Sequence, residues 1–176
     1  MSSDGLTLKD LEASAIAAGS LRGRNVVVLG GGRTGQATAA FAAEAGANVT
    51  VHDTDTMERV VGAAEAFAGS AIRTSFGDAE NLAPLLADAD LVVHSPAVTL
   101  GFPTVRPAIE RDLRAFAAGA IPLVGEGGAR GRILISEPEW ALRLLGNRWR
   151  VGVTGTKGKS TTSNLIATIL ARDPSH

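Results

Sequence analysis

At 176 residues, 45% hydrophobic and 20% charged, with a mean hydropathy of +0.15, the chain has room for one ordinary domain plus the opening of a second, and it is too apolar to be disordered. Its 17 basic and 18 acidic residues leave a formal net charge of -1, which excludes a global field for holding nucleic acid or an anionic membrane, so any phosphate site must be local. The absence of cysteine excludes disulfides, thiolate zinc sites, iron-sulfur clusters and a cysteine nucleophile.

The first eleven residues carry Asp4, Lys9 and Asp10 where a secretory signal needs a basic start and an apolar run. No apolar stretch reaches the ~18 residues of a membrane span. The expectation is a soluble, cytoplasmic protein. Short runs of valine, isoleucine and leucine then alternate with helix-like segments, the pattern of strands buried on both faces of a parallel sheet. Six or seven such strands are expected. Asn25–Leu29 reads as the first, Thr34–Ala45 as its helix, and Asn48–His52 as the second strand. Met57–Phe67 reads as a helix and Ile72–Phe76 as a weaker strand. Ala79–Leu86 is a short helix with Pro84 in its first turn, and Leu91–His94 is an apolar strand entering Ser95-Pro96.

Arg106–Ala118 is expected as a helix stopped by Gly119, and Ile121–Val124 as a strand. Gly125–Arg132, with four glycines, is a loop. Ile133–Ile135 restarts a strand, and Ser136-Glu137-Pro138-Glu139 has the spacing of a capping box for a helix running to Leu145. Gly146-Asn147 ends it. Arg150–Thr154 reads as a last strand, feeding a glycine-rich turn and a helix over Lys159–Ala171.

Two turns carry the chemistry. Gly30-Gly31-Gly32-Arg33-Thr34-Gly35 fits G-x-G-x-x-G between an apolar strand and a helix, where missing Cβ atoms let backbone amides approach a phosphate at the helix start. Asp53 ends the second strand, near the ~20-residue offset at which such folds place a carboxylate that reads a ribose or base. The competing reading is that these glycines only permit close packing and that Asp53 is solvated. An NAD-dependent oxidoreductase is the obvious enzyme for such a turn, yet no substrate acid or base is evident. His94 beside Ser95 lacks a nucleophile elbow and a third partner, so it is taken as an ordinary loop histidine, and His52 and His176 likewise carry no role.

The second turn, Gly155-Thr156-Lys157-Gly158-Lys159-Ser160-Thr161, ends like a Walker A loop, although Val153 stands where the ordinary spacing has glycine. Its amides form an anion nest, Lys159 reaches the terminal phosphates, and the Ser160 hydroxyl is a magnesium ligand. One lysine at ~4 Å contributes about 4 kcal/mol per phosphate charge at an effective dielectric near 20, so amides, helix dipole and metal must share the task.

Two such turns in one chain, with Thr154–Thr161 reading TGTKGKST, resemble the Mur ligases of peptidoglycan synthesis, and among them the branch that adds D-glutamate to UDP-N-acetylmuramoyl-L-alanine. The resemblance implies a Rossmann-like, parallel-sheet, UDP-sugar-binding domain over residues 1–147. It further implies, over 148–176, the first strand, phosphate loop and helix of a truncated P-loop ATPase domain. It implies ATP and Mg2+ at Gly155, Thr156, Lys157, Gly158, Lys159, Ser160 and Thr161, with Lys159 catalytic and Ser160 on the metal. It places the UDP-sugar on Gly30, Gly32, Arg33, Thr34, Gly35, Asp53 and Thr54, and on Ser95-Pro96-Ala97, where the family's diphosphate turn is Ser-Pro-Gly and Ala97 departs from it. The family's Gly-Glu-x-Glu element is met by Gly125-Glu126 or by Ser136–Glu139.

The partners implied are small molecules only, namely the UDP-sugar, D-glutamate and ATP, with a monomer expected for the full-length enzyme. The remaining catalytic residues of the family have no positions here, so this chain is expected to be inactive alone. Leu165, Ile166, Ile169 and Leu170 form an apolar stripe worth ~1.5 to 3 kcal/mol per side chain if buried, which something should cover. Besides the oxidoreductase, the alternatives are a non-catalytic nucleotide-binding module and, within the ligases, a folate polyglutamate ligase, which would lack the first domain.

Overall fold

The computed structural model describes residues 5–77, 82–96, 98, 133–146, 148 and 150–172. The helix expected at 106–118, the strand at 121–124, the glycine-rich loop 125–132 and Ala97 lie outside them. The chain divides into two units, residues 1–146 and 147–176.

The first unit is built on five parallel strands: β1 (Asn25–Leu29), β2 (Asn48–Asp53), β3 (Arg73–Phe76), β4 (Leu91–His94) and β5 (Ile133–Ser136), in the order β3-β2-β1-β4-β5. The chain winds outward from β1 through β2 to β3, then returns to the other side of β1 for β4 and β5, as in a Rossmann-like sheet. Five strands are thus found among the described residues. Every residue of β1 after Asn25 is buried, which is why that run is apolar throughout instead of alternating.

Alternate residues separate into two cores. Val26, Val28, Val49, Val51, Leu91, Val93, Ile133 and Ile135 lie with Ala39 and Ala42 of α2 (Arg33–Glu44), which follows α1 (Ala13–Ala17). Val27, Leu29, Val92 and Leu134 lie on the opposite face with Leu82 and Leu86 of α4 (Leu82–Ala87). Pro84 falls in the first turn of α4, as its missing N–H requires.

Three expectations are corrected here. The helix expected from Met57 begins only at Ala63, as α3 (Ala63–Phe67), because Gly62 adopts a left-handed φ of +76° and interrupts it. The helix after β5, α5 (Glu137–Leu144), takes only half of the capping box. The Glu139 amide donates to Ser136 Oγ at 3.4 Å, while the Glu139 carboxylate accepts from Arg143 at 2.8 Å instead of reaching back.

The third correction falls in the second unit, where residues 150–154 form no strand. A strand exists only through its neighbour's ladder, and none is offered there among the described residues; Val151 is 65% exposed. The helix that follows, α6 (Lys159–Leu170), has no buried residue, and Leu165 and Ile169 are each 60% exposed.

Trp140 of α5 joins the ends of the first unit. It is buried, meets Phe41 of α2 edge-on with ring centroids 5.5 Å apart, and donates its indole N–H to the Leu11 carbonyl.

Candidate functional site

The carboxyl ends of β1, β2 and β4 converge where the winding direction reverses, the crevice that open α/β sheets use for ligands. Leu29 pairs with His52 on one side and with His94 on the other, so Gly30 and Ser95 leave the sheet beside Asp53, the last residue of β2. The Gly30 amide donates to the His52 carbonyl at 2.9 Å and the Ser95 amide to the Leu29 carbonyl at 2.9 Å, fixing the first turn between its neighbours.

Each glycine of that turn meets a different surrounding. At Gly30 the backbone takes φ +104°, and a Cβ would lie 2.9 Å from that of Ser95. At Gly31 a Cβ would strike the Phe76 ring at 2.5 Å, and at Gly35 it would fall 1.9 Å from the Gly30 carbonyl oxygen. Gly32 has an ordinary φ of -67°, and a Cβ there would meet nothing within 4 Å. Three of the four are therefore demanded by the fold. Gly32 is not.

Asp53 is half-buried and turned into the loop: Oδ2 accepts from the Gly31 amide at 2.7 Å and Oδ1 from the Asp55 amide at 3.0 Å. Gln36 Nε2 donates to the Gly31 carbonyl at 2.8 Å and to that of Val61 at 3.0 Å, tying the turn to the segment before α3. Gly32, Arg33 and Thr34 are exposed, and the first amides of α2 have no intrahelical carbonyl to bond. Thr54 and Pro96 are exposed and Ser95 half-buried.

The sequence singled out Gly30, Gly32, Thr34, Gly35 and Asp53, and the fold brings them to one edge together with Ser95. The roles of Gly31, Gln36 and Phe76 were missed. The run of three consecutive glycines was the available signal for Gly31. In the segment between β2 and α3, Glu58 titrates below its ordinary 4.5 because its own backbone amide and the Thr56 hydroxyl bond the carboxylate.

The second turn is held by less. Gly158 caps α6 with φ +79°, the Thr162 amide donates to the Gly158 carbonyl, and Lys159 Nζ folds back to donate to the Gly155 carbonyl. Residues 155–161 are all exposed. Among the described residues no group of three or more acidic or histidine side chains is placed to hold a metal, and no helix is long and apolar enough to cross a membrane. A cavity of about 410 Å³ in the first unit, beside Asn48, Thr50 and Arg73, has no residue of the Gly30–Gly35 turn in its lining.

The fold and first turn define a Rossmann-like α/β domain. Residues 6–102 match the family of the alanine dehydrogenase/PNT C-terminal domain, and the chain belongs to that family. More of its length matches curated proteins named UDP-N-acetylmuramoylalanine--D-glutamate ligase. That of Anaeromyxobacter dehalogenans is 37% identical over 158 residues, covering 89% of this chain and 29% of the ligase. That of Syntrophotalea carbinolica is 36% identical over 148 residues, 84% and 28% respectively. The Geobacter metallireducens protein is 34% identical over 151 residues, 86% and 28%. These relatives bear out the resemblance to the Mur ligases, and the chain spans under a third of their length. A solved L-alanine dehydrogenase is similar over 41% of this chain and 19% of its own, at 30% identity and a TM-score of 0.36.

Proposed function

We propose that residues 1–147 hold a UDP-sugar and that residues 148–176 are the opening of a P-loop ATPase domain, together part of the ligase that adds D-glutamate to UDP-N-acetylmuramoyl-L-alanine. In this reading the substrate carboxylate takes the γ-phosphoryl group of ATP, and the amine of D-glutamate then attacks the acyl carbon and releases phosphate. The first-turn amides of α2 and Arg33 face the diphosphate, while Asp53 and Thr54 stand at the end of β2 for the uracil. Ser95 and Pro96, which follow β4, line the diphosphate.

The residues of the second turn suit a nucleotide triphosphate with Mg2+. Its amides are exposed, Ser160 offers a hydroxyl ligand, and Lys159 needs only to release the Gly155 carbonyl to present an ammonium to phosphate. Magnesium there would neutralise charge on the transferring phosphoryl group. Lys159 contributes by electrostatic positioning, so Lys159→Ala should remove ATP binding in the full-length enzyme.

The observation that carries the first site is Gly32, the one glycine of its turn that the fold itself does not require. A backbone left bare on the open side of a helix start suits the close approach of a diphosphate. Gly32→Val should therefore keep the melting temperature and weaken UDP-N-acetylmuramoyl-L-alanine by about tenfold or more in calorimetry, a loss of ~1.4 kcal/mol. Equal affinity in both proteins would overturn the reading. The family match supports a second occupant, a nicotinamide dinucleotide in the same turn, as in an oxidoreductase. NADH fluorescence that responds to the protein while the UDP-sugar gives no heat would favour it.

A further inference from the structure

His94 stands at the carboxyl edge, and this reading leaves its side chain unused. The sequence placed it at the end of the strand Leu91–His94 and gave it no chemical role; it is the last residue of β4. Its Nδ1 lies 3.2 Å from the Ser95 carbonyl oxygen. A carbonyl only accepts, so Nδ1 donates this bond, and in the neutral ring Nε2 is then the accepting nitrogen. The ring is half-buried, and no described residue bonds Nε2. The neutral imidazole therefore offers an acceptor at the carboxyl edge of the sheet.

Its place along the edge decides what it meets. β2, β1 and β4 lie side by side, at the ~4.8 Å spacing of neighbouring strands. With the uracil at the end of β2 and the diphosphate at the turn after β1, a ligand laid across the edge brings its next group over the end of β4. Ser95 already lies against that turn, close enough that Gly30 has no room for a Cβ. A bare nitrogen lone pair repels phosphate oxygens and accepts from a hydroxyl or an amide N–H.

We propose that His94 is a specificity-determining residue that accepts, at Nε2, a hydrogen bond from a hydroxyl or amide N–H on the sugar of a nucleoside diphosphate sugar. This rests on the UDP-sugar reading and adds which part of the ligand is read at β4. The test exploits the two ring nitrogens: glutamine reaches about as far as Nε2, asparagine about as far as Nδ1.

Calorimetry on the 176-residue chain, with UDP and with UDP-N-acetylmuramoyl-L-alanine, compares wild type, His94→Gln, His94→Asn and His94→Phe, with melting curves confirming the fold. The UDP-sugar should bind His94→Gln within about threefold of wild type and lose about tenfold in His94→Asn and His94→Phe, the scale of one hydrogen bond. UDP alone should bind all four alike. Equal losses for both ligands would assign His94 to the phosphates and overturn the inference. So would unchanged affinity in His94→Phe, or asparagine substituting where glutamine fails, the mark of a purely structural Nδ1 bond. Wild-type protein that binds neither ligand overturns the proposed function, and this inference with it.

Discussion

The two glycine turns are built from similar sequence and held in opposite ways. Gly30–Gly35 is braced by the His52 carbonyl, the Asp53 carboxylate, the Gln36 amide and the Phe76 ring, above five paired strands. Gly155–Thr161 is held by its own helix and by a lysine folded onto its first carbonyl, with every residue exposed. The second motif is the stronger signal in the sequence, yet the first is the better supported turn. A motif specifies which groups are available; the surroundings determine whether they are already in place.

Glycine replacement should test that contrast most severely. Gly35→Ala drives a methyl group into the Gly30 carbonyl, a backbone atom that cannot step aside, and should lower stability by about 3 kcal/mol or more in urea unfolding. Gly158→Ala meets open space and suffers only its left-handed φ, about 1 kcal/mol confined to the second turn. Similar losses for both would erase the distinction. Asp53→Ala leaves the Gly31 amide without its acceptor and should remove about 1 to 3 kcal/mol, again by urea unfolding.

Glu137 sharpens the comparison from the other side, since the braced unit also tolerates an unfavourable group. Its side chain is buried, and among the described residues neither carboxylate oxygen is bonded, so Glu137→Met should raise stability by about 1 to 3 kcal/mol, visible as a higher melting temperature. The smallest effect concerns Glu58. Its folded carboxyl titrates below the ordinary 4.5, so its contribution is present above that value and is lost as pH falls through the lower folded value. An NMR titration of the Glu58 side chain should give a midpoint under 4.5; a midpoint at or above it would remove those hydrogen bonds from the account.

What was legible in the sequence follows the same division. β1 and β4 were read with their observed bounds, because strands covered on both faces announce themselves as apolar runs, and β2 was read to within a residue although Thr50 and His52 interrupt its apolar positions. The Gly30 turn was placed by the strand and helix that flank it. The contacts that fix it were hidden, because Asp53 and Phe76 reach Gly31 from other strands and leave no local trace in its composition. The segment 57–62 was read as the start of a helix, but Gly62 takes a left-handed φ and the β-branched pair Val60-Val61 lowers helix propensity. Residues 150–154 are as apolar as a strand, and pairing is a property of two segments that no single run can declare.

Trp140, buried between Phe41 and the Leu11 carbonyl, also equips the protein with an internal optical probe. The chain has two tryptophans, and replacing Trp149 by phenylalanine would leave a single emitter stationed where the amino-terminal segment meets α5. Its emission would then register the peeling away of that segment as a red shift, separately from the loss of the parallel strands seen by circular dichroism.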